Sequence, residues 1–119
     1  MTLEDRAEQV ADDARTHIDA LAERVGTDPQ VTQDVLTDCI PGQRDSGLEL
    51  IYSIDVTIEP DAMARISSDV AETYRDDGWD VRTRGRDEVV FERAGVTMSA
   101  IPAPSAGRAS VGGTGGCVR

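Results

Sequence analysis

Leu48 to Ile58 is the stretch that most limits what this chain can become. Leu48, Leu50, Tyr52, Ile54, Val56 and Ile58 alternate with Glu49, Ile51, Ser53, Asp55 and Thr57. Apolar side chains at period two, several of them β-branched, put one face of a strand on a core and the other towards water. A helix cannot use that pattern, because its surface neighbours fall three and four residues apart. We therefore read 48–58 as the central strand of a half-buried sheet, with the rest of the chain arranged to cover its apolar face.

Residues 3–25 read as an amphipathic helix. Leu3, Ala7, Val10, Ala14, His17 and Leu21 recur at spacings of four and three, with Ala11, Ile18, Ala22 and Val25 beside them. Asp12, Asp13, Asp19 and Glu23 fall largely outside that stripe. Thr2 supplies a capping hydroxyl, Glu4 and Asp5 place negative charge at the positive end of the dipole, and Gly26 ends the helix. At ~1.5 Å per residue it is about 34 Å long. Two readings stay open: it packs across the sheet, or its N-terminal half projects as a stalk or as the contact of a homodimer. Residues 29–38 are undecided between a short helix capped by Asp28-Pro29 and an extended segment.

Pro41-Gly42 marks a turn and Gln43 to Gly47 a polar loop. A second helix is expected from Asp61 to Asp77, with Ala62, Met63, Ile66, Val70, Ala71 and Tyr74 inward and Gly78 as its cap. Trp79, Val81 and Thr83 then alternate as a short strand. Val89 to Arg93 pairs with Val96 to Ala100 across Ala94-Gly95, which sets Phe91 opposite Met98 and Val89 opposite Ala100. Ala-Gly is a poor two-residue turn, so a slip of one residue stays open. Pro102 to Pro104 is a linker or an edge, Ser105 to Val111 adds a last strand, and Gly112 to Gly116 is a flexible run. The sum is one domain over residues 1–119, an N-terminal helix (1–26) before a core (39–117). Its class is α+β: a two-layer sandwich of one antiparallel sheet of four to five strands with two helices on one face.

The charge balance is strongly negative, with 23 acidic against 12 basic residues, a net −11, and every basic residue is Arg. Such a chain repels nucleic acid and anionic membrane surfaces. Compositional bias of a GC-rich genome and an acidic face for a basic partner both account for it. No run reaches the roughly 20 apolar residues of a membrane span. No membrane insertion by this chain is therefore expected; either the chain is a complete cytosolic protein, or an export signal or anchor ahead of Met1 has been removed. Cys39 and Cys117 both adjoin Pro- or Gly-rich segments, where a free thiol is a liability. Bridged, they close a loop of about 79 residues, worth up to about 4.5 kcal/mol in chain entropy. A bridge implies an oxidising compartment; the alternative is two unrelated buried thiols.

The order of these landmarks resembles the small mature domains of actinobacterial cell-envelope lipoproteins and related exported proteins of unknown function. There a long N-terminal helix precedes a Cys, followed by a strand, a helix ending in Gly-Trp, a β-meander and a C-terminal Cys. The matching residues are Cys39, Gly78-Trp79 and Cys117. The departure is that Leu36-Thr37-Asp38 before Cys39 is no lipobox. The resemblance implies a membrane-tethered extracytoplasmic domain and no particular activity.

No catalytic constellation stands out. His17 is the only histidine, and on an apolar stripe it reads as a boundary or core residue, so no zinc set is available. The pairs Asp12-Asp13, Asp76-Asp77 and Asp87-Glu88 are adjacent in sequence, which does not make them converge across a cleft. Ser and Thr have no base, and the glycine run lacks the Lys-Ser/Thr ending of a phosphate loop. Arg82, Arg84 and Arg86 form the candidate patch for an anion or an acidic partner; a solvated face neutralised by Asp80, Asp87 and Glu88 is the alternative. The sequence thus supports a non-enzymatic extracytoplasmic domain, without cofactor or metal, that binds a protein or an envelope component. A cytosolic inhibitor or immunity-type protein with a basic partner is the competing expectation.

Overall fold

The computed structural model describes residues 1–119. Helix α1 (Leu3–Val25) leads into a hairpin of two long strands, β1 (Thr27–Ile40) and β2 (Gln43–Thr57). A second helix follows in three pieces: α2 (Ala62–Arg65), a wide π-helical turn (Ile66–Val70) and α3 (Ala71–Asp76). The chain closes with β3 (Asp80–Arg84), β4 (Glu88–Arg93), β5 (Val96–Ala103) and β6 (Arg108–Thr114). All six strands form one sheet in the order β1-β2-β6-β5-β4-β3, every pair antiparallel.

The alternation in 48–58 does what its period requires. Leu50, Tyr52, Ile54, Val56 and Ile58 are buried, while Glu49, Ile51, Ser53 and Asp55 face the other way and stay partly open. Facing them, α1 buries Ala7, Ala11, Ala14, Ile18, Leu21, Ala22 and Val25. The helix therefore packs along the sheet and forms no stalk. Its buried line is rotated from the expected stripe: Val10 is left 37% exposed, and His17 sits at the border against Trp79, with ring centroids 5.2 Å apart. Thr2 and Asp5 form a reciprocal cap, the Asp5 N–H donating to Thr2 Oγ1 at 3.1 Å and the Thr2 N–H to Asp5 Oδ2 at 3.4 Å.

The apolar positions of the second helix, Ala62, Ile66, Val70 and Tyr74, recur every four residues. A 3.6-residue period would rotate them steadily off the core. The wide turn at Ile66–Val70 takes up that excess and keeps all four inward. Ser67 and Ser68 donate their hydroxyls to Met63 O and Ala64 O at 2.9 and 2.6 Å, within the stretch where the regular ladder is interrupted.

Four expectations are corrected. The sheet has six strands rather than four to five. Gln43 to Gly47 opens β2 rather than forming a loop; residues 29–38, open between helix and extended chain in the sequence, belong to strand β1. The 48–58 strand lies second from an edge, so the strand joining the two parts of the sheet is β6. The glycine run is not slack chain: Gly112 and Gly113 sit in β6 between β2 and β5. A methyl group on Gly113 would run into Thr97 O, and one on Gly115 would lie 2.8 Å from Val10 Cγ1. These glycines let neighbouring strands and α1 approach closely. The Phe91–Met98 and Val89–Ala100 pairs form as expected. Ala94 takes φ 49° and Gly95 φ 88°, the left-handed pair a two-residue hairpin needs.

Cys39 and Cys117 form a disulfide with Cα atoms 5.8 Å apart. Beside it Leu48 and Val118 exchange main-chain hydrogen bonds of 2.9 and 2.8 Å, so the C-terminal residues dock on the start of β2.

Candidate functional site

Both helices cover the same face of the sheet, leaving the other without a covering layer. The strand register carries one row of outward residues across it: Gln33, Ser53, Gly112, Ser99, Val90 and Arg82. The middle of this face is small and hydroxylated, because close strand packing at β6 leaves no room for large side chains. A hollow of about 380 Å³ results, lined among others by Ser53, Thr97, Ser99, Ser110 and Gly112, with Ile51 and Ile101 contributing apolar surface and Arg84 charge. Ile101 remains 44% exposed.

On β3 and β4 the open face is zipped by ions. Arg84 grips Glu88 through two bonds of 2.8 Å, and Arg82 pairs with Glu92 and, at 3.7 Å, with Asp80. The Arg84 guanidinium, with a hydrogen bond from Ser99, holds the Glu88 carboxyl below its ordinary range. Beneath these pairs Val90, an outward residue, is only 1% exposed. The sequence-derived patch is therefore split. Arg82 and Arg84 share the open face and are engaged by Glu92, Asp80 and Glu88, whereas Arg86 lies in the β3–β4 turn without an ion pair.

Elsewhere polar groups serve the fold. Tyr52 donates to Asp19 at 2.7 Å, tying β2 to α1, and burial together with that carboxylate pushes its hydroxyl up to about 12. Arg65 donates to Val25 O at 2.7 Å and so caps the C-terminus of α1; its Nε is buried without a partner. Arg24 lies over the Tyr74 ring and Arg93 over Trp79, both within about 5 Å of the centroids. His17 belongs to this aromatic cluster and has no second imidazole near it. No three His, Cys, Asp or Glu side chains gather as a metal site. Asp12, Asp13, Asp76, Asp77 and Asp87 are all exposed.

The charge is unevenly distributed along the chain. Residues 1–61 hold fifteen carboxylates against four arginines, whereas residues 62–119 hold eight of each. The whole net charge of −11 thus belongs to α1, β1, β2 and the loop that follows. Net charge alone gives the acidity no location, whereas a running count of charge along the chain locates it.

These features define an α+β two-layer domain with a bare sheet face, a sulfur clasp and one acidic side. No family model matches the chain, and no curated protein or solved structure matches it either.

Proposed function

We propose that this is a non-enzymatic extracytoplasmic domain that binds a protein or an envelope component. The disulfide carries the reading. A thin α+β core with four aromatic residues gains from a crosslink, and such bridges persist where the surroundings are oxidising. The uncovered sheet face supports a binding role. It offers hydroxyls, two isoleucines and the Arg82–Arg84 strip as contact surface, with no nucleophile set against a base. No helix is long and apolar enough to cross a membrane.

The competing cytosolic reading requires both thiols to be reduced in the cell. Trapping free thiols with a maleimide in intact source cells, before lysis, separates the two. Cysteines that resist the reagent until dithiothreitol is added, in protein reached by a membrane-impermeant label, are expected. Two freely alkylated cysteines in protein shielded from that label would retire the export reading.

A further inference from the structure

The sheet ends on one side at β1, which pairs with β2 and with nothing else. Its register is broken between Val31 and Gln33 and again between Asp38 and Ile40. Between those irregularities Gln33 to Asp38 pair continuously with Ser53 to Leu48. Along the free side of these six residues no main-chain group has a partner within the molecule. Sheets usually blunt a long edge with proline, bulges or charge. Here Pro29 and the bulges lie at the two ends, and the straight run between them stays open.

Charge decides what such an edge can accept. β1 carries Asp28, Asp34 and Asp38 and no basic residue. Arg15 reaches Asp34 at 2.8 Å, but Asp28, Asp38 and the neighbouring Asp45 and Glu49 have no ion-pair partner. Asp34, Leu36 and Asp38 share the helix-side face, while Gln33, Val35 and Thr37 share the open one. Val35 is 45% exposed.

We infer that the Gln33–Asp38 edge takes an extended cationic segment of a partner protein as an added strand. Main-chain bonds to the edge hold the segment, and its alternating side chains set specificity. The favoured pattern places basic residues at two positions four apart, opposite Asp34 and Asp38. An apolar residue falls between them beside Leu36, and another on the open face beside Val35. A second copy of this chain is the wrong occupant, because pairing two β1 edges brings together strands that hold only carboxylates. The inference deepens the protein-binding reading by naming the partner's chemistry, and it does not depend on the compartment.

The test is titration of an end-capped octapeptide with Arg at positions 2 and 6, Val at positions 3, 4 and 5 and Thr elsewhere into isotope-labelled protein with the disulfide intact. At low salt the amide resonances of Gln33 to Asp38 should shift and gain exchange protection. Asp34→Asn with Asp38→Asn should weaken binding about fivefold, and 0.5 M salt should weaken it further. A Glu-for-Arg peptide should not bind. Of two peptides N-methylated on alternate phases, the one whose methyl groups face β1 should fail. Equal binding of both methylated peptides, equal binding of the acidic peptide, shifts confined to α1, or no binding would each overturn strand addition. Any of these leaves the thiol-trapping result, and hence the compartment, unaffected.

Discussion

The two edges of the sheet are built to opposite rules. β3 has five residues, lies under the second helix, and has Val81 O engaged by Arg75 at 3.2 Å. Its outward charges, Arg82 and Arg84, are matched by Glu92 and Glu88. β1 has fourteen residues, is exposed over most of its length, and carries unmatched carboxylates. It is held by β2, by the Arg15–Asp34 pair and by the disulfide at its far end. One edge is short, charge-matched and touched by the second helix, and the other is long and pinned by a crosslink, which is how a sheet can leave one side available without fraying.

The largest expected effect tests that division of labour. Cys39→Ser with Cys117→Ser should cost up to about 4.5 kcal/mol in denaturant unfolding. Amide exchange should rise through the Cys39 end of β1 and stay nearly constant in β3. Equal acceleration at both edges would break the comparison. Next, Gly113→Ala drives a methyl group into Thr97 O at the strand joining the two sides. A loss of about 3 kcal/mol is expected, and a loss below ~0.5 kcal/mol would show that β6 has room to shift.

The smallest effects come from pH, and the two sides should respond in opposite directions. Tyr52 keeps its proton to about 12 in the folded chain, above its ordinary value of 10. Its contribution is therefore complete below pH 10 and lost as pH rises through 12. Tyr52→Phe should cost about 1 kcal/mol at neutral pH and flatten that alkaline loss, leaving the share of Tyr74, whose burial also raises its hydroxyl. Glu88 is shifted down by Arg84, so its contribution is present above the ordinary carboxylate value and fades as pH falls below it. Chemical shifts should report the alkaline change in β2 and α1 and the acidic one in β3 and β4.

What could be read from the residues follows from how each segment is buried. β2, α1 and the β4–β5 hairpin each have one face in the core, so their periods are visible; the β4–β5 pairing and the disulfide were legible too, whereas the partners of β2 were not. β1 is wet on both faces over most of its length; without a buried face its side chains carry no alternation, and 29–38 looked equally helical. Glycines have no side chain to show burial, so Gly112 and Gly113 read as slack although they sit between two strands. The candidate patch was half legible. Arg82 and Arg84 followed from strand alternation, but Glu92, the partner of Arg82, lies across a strand pairing that spacing alone does not reveal. The hollow on the open face left no signal, since it is made by the smallness of residues contributed by several strands.

β6 has a consequence for biogenesis. The β1–β2 hairpin and the β3–β5 meander touch as one sheet only through it, and it is synthesised after both. A nascent chain therefore has no complete hydrophobic layer until this segment has left the ribosome. Cys117, which follows β6, leaves Cys39 unpartnered until then. Chain order thus places the joining of the two halves, and the closing of the sulfur clasp, at the end of this stretch of polypeptide.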